Sequence, residues 1–254
     1  DKRINQGVHF LDNVIDMSKF PFQKVFGVVH GTRKIGMGLM GFAETLTSMG
    51  IRYGGEDSVE LARNISKFMT ETGMKYSEKL AEDRGVFPFF DGSVHEEEGN
   101  RLRNATITTI APNGTTGMIA DVNGGCEPYF KVAYTKTCMD GKVLEYWAPG
   151  LKEEITKLAS GNELEELLEE IKESGSIQHI EGIPQELKDR YLTSHDVTPE
   201  DHIKIQAAFQ TGKDGVGVHN AVSKTVNMPG AATREDIAKA LMLSYELGCV
   251  GTTI

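Results

Sequence analysis

Apolar residues recur every three or four positions in several long stretches of the chain, which is the spacing of an amphipathic helix. The first stretch ends before Pro21, and a second lies between Ser58, a candidate cap, and Gly85. Thr198-Pro199 and Thr233 have the residue types of helix starts. The pattern therefore predicts helices over residues 4–17, 58–84, 149–174, 198–209 and 233–247. The apolar stripe of the first helix consists of Ile4, Val8, Leu11, Val14 and Ile15.

A second pattern is the enrichment of β-branched residues that alternate with polar ones, which is typical of strands. It covers residues 105–110 and returns at 129–137, 220–227 and 249–254. Because these strands alternate with helices, the sequence predicts an α/β fold with a mainly parallel sheet in a single domain of residues 1–254. The charged helical part around 149–200 is interpreted as a peripheral insertion, with its glutamates on a solvated face.

The spacing Gly-x-Gly-x-x-Gly occurs at Gly36, Gly38 and Gly41. A dinucleotide-binding fingerprint needs a hydrophobic strand directly before it, whereas His30-Gly-Thr-Arg-Lys34 stands there. We therefore interpret these glycines as positions of close backbone packing. The aromatic run Phe87-Pro-Phe-Phe90 is interpreted as core filling, with an aromatic cofactor cage as the alternative.

Residues 111–117, Ala-Pro-Asn-Gly-Thr-Thr-Gly, follow the predicted strand 105–110. Pro112 stops the strand, and two glycines then let the backbone bend. Residues 118–120 are expected to open a short helix behind this loop. Such an arrangement presents free backbone N–H groups and suits an anion such as phosphate. The loop has no lysine and is not a Walker-type loop, so a plain tight turn that caps a core strand is an equally good interpretation.

The composition narrows the choice of function. The chain has 254 residues, of which 39% are hydrophobic and 25% charged, as in ordinary globular proteins. Its net charge of −10 argues against a surface for nucleic acid or an anionic membrane. The apolar runs are too short to span a bilayer and the start has no signal-peptide form, so a cytoplasmic setting is expected. Cys126, Cys138 and Cys249 form no Cys-x-x-Cys pair and the histidines are scattered, which indicates reduced thiols and no metal site.

Residues 104–116, followed by Gly125-Cys-Glu-Pro128, resemble the substrate-phosphate loop of ribonucleotide reductases, whose usual form is Ala-Pro-Thr-Gly-Thr; Asn113 replaces a Thr here. Residues 31–44, 219–229 and 246–254 are similar to family segments in the same order. The sequences of the last two stretches, 219–229 and 246–254, are most similar to the adenosylcobalamin-dependent, class II branch of the family.

The resemblance implies the C-terminal half of a ten-stranded α/β barrel that reduces ribonucleotides to 2′-deoxyribonucleotides by thiyl-radical chemistry. It implies adenosylcobalamin as cofactor, a ribonucleotide as substrate, the N-terminal half of the barrel as partner and a homo-oligomeric full enzyme. Ser223 and Lys224 are expected near the mouth of the active site; the alternative is a barrel strand with an exposed lysine. The implied substrate-phosphate-binding residues are Ala111, Pro112, Asn113, Gly114, Thr115, Thr116 and Gly117.

The family's radical cysteine lies in an Asn-Pro-Cys-Gly-Glu loop, and this sequence contains no such loop. We therefore expect no catalytic residue in this chain and interpret Cys126 as a buried structural thiol. A catalytically inactive nucleotide-binding scaffold and a class I reductase barrel remain as alternatives. The substrate-phosphate loop would accept a diphosphate or a triphosphate.

Overall fold

The computed structural model describes residues 1–137 and 141–254, which are mainly helical. Cys138, which the sequence suggests is a reduced thiol, lies outside the described residues. The helices are α1 Lys2–Met17, α2 Gln23–Thr32, α3 Phe42–Met49, α4 Glu56–Arg84, α5 Val94–Glu97, α6 Gly114–Ala120, α7 Leu151–Thr156, α8 Gly161–Ser174, α9 Gln185–Arg190, α10 Pro199–Thr211 and α11 Arg234–Glu246, and the strands are β1 Ala133–Thr137 and β2 Val143–Trp147.

The helix ends follow the capping residues in the sequence. Thr198 accepts a hydrogen bond from the Asp201 N–H at the start of α10, and Thr233 forms a reciprocal capping box with Asp236 at the start of α11. Gly85, with φ +79°, ends α4 as predicted. These rules are local, so the sequence predicts them well.

Other helix predictions need correction. Helix α4 begins at Glu56, before the predicted cap Ser58, whose hydroxyl donates to the Gly55 carbonyl. Helix α2 was not predicted. On α1, Val8 and Ile15 are buried but Val14 is 39% exposed, so the apolar stripe is narrower than expected. The predicted helix 149–174 is divided into α7 and α8, and the glutamates of α8 are exposed as predicted.

The predicted parallel sheet is present only as short extended segments. Single parallel bridges join Met37 to Thr108, Ile110 to Val222 and Thr225 to Thr253. The central segment, residues 106–110, therefore lies between residues 35–37 and 220–223. Side-chain groups take part in this pairing, since the Thr109 hydroxyl donates to the Ala221 carbonyl and the Asn220 amide to the Thr108 carbonyl. The strands that form a regular ladder among the described residues are β1 and β2, which are antiparallel.

Two glycines of the Gly-x-Gly-x-x-Gly run allow the first of these segments to approach the second. A Cβ at Gly36 would lie 2.7 Å from Thr109 Cγ2, and one at Gly38 would overlap the Thr109 carbonyl oxygen. The interpretation as close packing is confirmed. In the aromatic run, Phe87 and Phe90 are buried while Phe89 is exposed, so core filling is confirmed for two of the three rings.

Buried apolar residues form separate clusters. One large cluster packs α3, α4 and α10 around Phe42, Leu46 and Phe209. A second one joins β1 to helices α7–α9 through Leu151 and Ile171. The second of these clusters lies largely in the part of the chain where an insertion was predicted. Whether residues 1–254 form one domain with a peripheral insertion stays a prediction.

A buried carboxylate fixes the start of the central segment. Asp12 on α1 is 0% exposed, and Arg33 and Arg84 donate to its two oxygens, each at 2.9 Å. Arg103 Nε lies 3.6 Å from it, and the Asn104 amide donates to it at 3.0 Å. The carboxylate therefore joins α1, α4 and the chain at 103–104.

We expect Asp12→Asn to lower the free energy of unfolding by about 3–5 kcal/mol, because the buried Arg33 would keep only Asp16 as a negative partner, and Arg84 and Arg103 would lose the carboxylate they share with it. Urea unfolding followed by circular dichroism measures the change. Asp214→Asn is the control, since Asp214 pairs with Lys67 at the surface and should leave the unfolding midpoint unchanged. Equal effects of both substitutions would contradict the structural role of Asp12.

Candidate functional site

The loop of residues 111–117 begins where the central segment leaves its neighbours. Ile110 N donates to the Ala221 carbonyl, and Ser223 N donates to the Ile110 carbonyl at 2.8 Å. The segment is buried, with Ile107, Thr108 and Ile110 at most 1% exposed. Ala111 and Pro112 then carry the chain out toward the surface.

The helix after the loop starts earlier than predicted. Asn113 is the N-cap of α6 in a left-handed conformation, with φ 52°, and Gly114 is already helical. The predicted loop residues 114–117 are therefore the first turn of α6 rather than a loop before it. Helical geometry leaves the N–H groups of residues 114–116 without intrahelical partners, and Gly117 N donates to the Asn113 carbonyl.

The segment that follows α6, residues 121–128, folds back against the loop; we call it the return segment. A Cβ at Gly117 would lie 2.7 Å from the Val122 oxygen, and one at Gly125 would lie 2.8 Å from the Ala111 oxygen. At Gly124 a Cβ would overlap the Pro112 oxygen. The loop and the return segment therefore share a backbone-to-backbone contact that only glycine permits.

Ser223 and Lys224, which are expected near the mouth of the active site, lie in different environments. Ser223 is half-buried beside Ile110, close to the start of the loop. Lys224 has a fully buried side chain, so the alternative of an exposed lysine is wrong. Its ammonium donates to Glu127 Oε2 at 2.6 Å, to His202 Nδ1 at 2.7 Å and to the Thr225 carbonyl at 2.8 Å. All three ammonium protons are satisfied inside the protein.

His202 is neutral in this network. Its Nε2 lies 3.0 Å from the Ser194 carbonyl oxygen, which can only accept, so Nε2 carries the proton and Nδ1 accepts from Lys224. Burial, together with the nearby ammonium, lowers the pKa of His202 to about 4. Burial also lowers the pKa of Lys224, and the Glu127 carboxylate opposes this shift.

The sequence contains one signal for the burial of Lys224. Val222, Lys224 and Val226 alternate along an extended segment and all three side chains are buried. The partners could not be found in this way, because Glu127 and His202 are 97 and 22 residues away along the chain. Sequence reasoning gave neither of them a role.

The two cysteines in the described part of the chain, Cys126 and Cys249, are both at least half-buried. Cys126 is fully buried, and burial raises the pKa of its thiol to about 12. The interpretation of Cys126 as a buried thiol is confirmed. Cys249 is half-buried, and burial raises its pKa to about 11. Both are free thiols.

Two cavities lie in the described part of the chain, away from the loop of residues 111–117. A cavity of about 500 Å³ lies between α3, α4 and α9, and one of about 320 Å³ between α10 and α11; neither is lined by residues 111–117. Within residues 1–137 and 141–254, no three His, Cys, Asp or Glu side chains are grouped to hold a metal ion. No helix in these ranges is long and apolar enough to cross a membrane.

Parallel extended segments joined through helices, with a Gly/Thr turn at the end of the central one, define an α/β protein. The model of the family described as "Ribonucleotide reductase, barrel domain" matches residues 1–101 and 95–254. The chain therefore belongs to the ribonucleotide reductase barrel-domain family, as the sequence resemblance indicated.

Two relatives are named vitamin B12-dependent ribonucleoside-diphosphate reductases. The protein of Thermoplasma acidophilum is 40% identical over 245 residues, covering 96% of this chain and 31% of the relative. The protein of Mycobacterium tuberculosis H37Rv is 36% identical over 249 residues, covering 97% of this chain and 34% of the relative. The chain thus spans about a third of the length of the relatives it matches.

A solved structure shows the same fold. The alpha subunit of the class Id ribonucleotide reductase of Actinobacillus ureae aligns with a TM-score of 0.79 at 20% identity, over 98% of this chain and 45% of that subunit. At this identity the likeness concerns the fold alone. The fold is thus that of a ribonucleotide reductase barrel domain.

We expect the stability of the chain to fall as the pH falls from about 6.5 to about 4. In this window the unfolded state binds a proton at His202 and the folded state does not, and the full shift corresponds to about 3 kcal/mol. His202→Gln removes this titration, so its unfolding free energy should depend less on pH than that of the wild type. The measurement is urea unfolding at several pH values.

Tyr53→Phe is the control for this prediction, because it removes the hydrogen bond from Tyr53 to the Cys126 carbonyl but keeps the histidine. It should lower stability at every pH and keep the wild-type slope. A His202→Gln profile parallel to that of the wild type would show that His202 does not set the pH dependence.

Proposed function

We propose that this chain is part of a ribonucleotide reductase catalytic barrel and that it supplies the substrate-phosphate loop. The whole protein would reduce ribonucleotides to 2′-deoxyribonucleotides by thiyl-radical chemistry in the cytoplasm. The observation that carries the proposal is the family match along the whole chain, combined with a Gly/Thr turn at the end of the central buried segment.

The proposed phosphate-binding residues are Ala111 to Gly117. The backbone N–H groups of Gly114, Thr115 and Thr116 are free, and both threonine side chains are exposed, with no partner for their hydroxyls among the described residues. A Cβ at Gly114 would meet nothing within 4 Å, so there is room for a ligand above the turn. Because α6 has only seven residues, these N–H and O–H donors matter more than its dipole.

Ala111 and Pro112 set the direction of the chain into this turn, and Asn113 begins it. Ser223, half-buried beside Ile110, is proposed to lie at the edge of the substrate site. Lys224 belongs to the same edge through its backbone, while its side chain points into the interior network. The catalytic residues are proposed to lie elsewhere, since the Asn-Pro-Cys-Gly-Glu loop is not in this sequence.

The names of the two relatives support adenosylcobalamin as the cofactor. When bound, this cofactor would supply the radical that starts the reaction. Neither of the two cavities above borders the phosphate loop, so they identify no cobalamin pocket beside it. We therefore assign no cobalamin contact to this chain, and residues outside it would have to complete the site.

The partner of this chain is proposed to be the N-terminal half of the barrel, either in the same polypeptide or as a separate chain. Large apolar side chains of α1, of α2 and of the N-cap residue of α2 are exposed, among them Phe10, Met17, Val28 and the N-cap Phe22. The extended segments at 35–37 and at Thr253 each have one paired neighbour in the described part of the chain. A ten-stranded barrel, of which this chain would be the C-terminal half, accounts for both features, and we propose a homo-oligomer for the full enzyme.

The test combines this chain with a partner that carries the Asn-Pro-Cys-Gly-Glu half and measures ribonucleotide reduction with and without adenosylcobalamin. We expect activity only with the cofactor. Activity that needs a separate radical-generating subunit would place the chain in class I. A well-folded mixture that binds nucleotide without turnover would support the inactive scaffold, and one that binds no nucleotide would overturn the proposal.

Thr115→Val and Thr116→Val should each weaken the binding of a nucleoside diphosphate by about tenfold, because each removes a hydroxyl that donates to a charged phosphate oxygen. Isothermal titration calorimetry measures the affinity. Thr156→Val on α7 is the matched control, since its hydroxyl bonds to the Lys152 carbonyl far along the chain from the loop. Unchanged affinity in both loop variants would show that these two hydroxyls do not bind the phosphate.

A further inference from the structure

The return segment, residues 121–128, is held by a carboxylate near each end. Near its start, Glu44 Oε1 accepts from the Asn123 backbone N–H at 2.9 Å and from the Asn123 side-chain amide at 2.7 Å. The Asn123 carbonyl in turn accepts from Gly41 N. Near its end, Glu127 accepts from Thr225 N at 2.8 Å and from Lys224 Nζ at 2.6 Å.

The anchor at Glu127 closes a ring that contains the phosphate loop. The central segment pairs with residues 222–223, and two residues further along, Lys224 and Thr225 hold Glu127. From Glu127 the return segment leads back to Gly124 and Gly125, which are in contact with Ala111 and Pro112. A shift of Glu127 away from Lys224 would therefore move the backbone on which residues 111–117 rest.

The chemistry at this anchor requires a carboxylate. Lys224 Nζ and Thr225 N are both donors, so the group between them must accept at both of its atoms. A glutamine of the same shape would place its NH₂ group against one of these donors. The ammonium is fully buried, and its other partners, His202 Nδ1 and the Thr225 carbonyl, are neutral. Glu127 is thus the group that balances the charge of Lys224.

We infer that Glu127 and Lys224 are positioning residues, which keep residues 113–117 in the conformation that receives a phosphate group. The inference rests on the proposed function of that loop. Neither side chain touches the ligand in this arrangement; they act through the return segment, and Glu44 supports the same segment at its other end.

The experiment uses the whole chain of residues 1–254 and compares Glu127→Gln and Lys224→Met with the wild type. Amide hydrogen exchange of residues 117–122, measured without ligand, reports the order of α6 and its end. Calorimetry with inorganic pyrophosphate reports the anion site. We expect both variants to speed exchange in residues 117–122 by about tenfold or more relative to α10, and to weaken pyrophosphate binding by a similar factor.

Asp12→Asn is the matched control, since it breaks a buried ion pair at the start of the central segment, and the partners of Asp12, which are Arg33, Arg84, Arg103 and Asn104, all lie outside residues 111–128. It should lower the global stability while leaving the exchange of residues 117–122, relative to α10, and the pyrophosphate affinity within about twofold of the wild type. This separates positioning from a general loss of stability. Where Glu127→Gln does not fold, Lys224→Met carries the comparison, because methionine keeps an apolar chain of similar length.

The experiment distinguishes a failure of the positioning role from a failure of the proposed phosphate binding. If the wild type binds pyrophosphate and the two variants show the same relative exchange in residues 117–122 as the wild type, the positioning role is overturned. An equal rise of the exchange rate in every helix, both in the two variants and in Asp12→Asn, would overturn it as well. Failure of the wild type to bind pyrophosphate, with faster exchange in the variants, would overturn the proposed function of the loop and leave only a structural coupling.

Discussion

The structure depends on the burial of residues 106–110 between two parallel neighbours. The Thr108 hydroxyl, at 0% exposure, lies 2.8 Å from that of Thr70 on α4 and accepts from the His219 backbone N–H at 3.1 Å. Backbone groups on both sides of the segment bond to residues 35–37 and 220–223. A segment buried in this way must have its polar groups satisfied, because each unpaired group would cost about 1–3 kcal/mol. The position of the loop at its end is therefore fixed by the core.

Charged groups stand at both ends of this segment, although burying them is costly. At its start, Asp12 is shared by arginines from three parts of the chain. Beyond its end, Lys224 is shared by Glu127 and His202. A hydrophobic replacement could pack as well, but it would not require one particular arrangement of partners. Directional bonds to several elements at once specify where the segment enters and leaves the core.

Local features of the sequence were sufficient to predict the caps of α10 and α11, the end of α4, the exposed glutamates of α8 and the close-packing glycines. The start of α6 was missed because Gly114 and Gly117 disfavour a helix, and tertiary contacts of the return segment override that preference. The network around Lys224 was missed because its members are far apart in the sequence. The proposal that the loop residues bind phosphate rests on their similarity to a family sequence, since the Gly/Thr pattern fits a plain turn equally well.

The loop of residues 111–117 is packed against the return segment on one side and exposed on the other. Behind it, Gly124 and Gly125 lie in contact with its backbone and are anchored through Glu127 and Asn123. In front, the side chains of Thr115 and Thr116 are exposed. A binding site gains affinity when its donors are already ordered, because less conformational entropy is lost when the ligand arrives. Donors on a short helix gain little from a dipole, so their order must come from what lies behind them. In this chain that support comes from the return segment, which makes the interior network as relevant to the proposed phosphate binding as the hydroxyls that would touch the ligand.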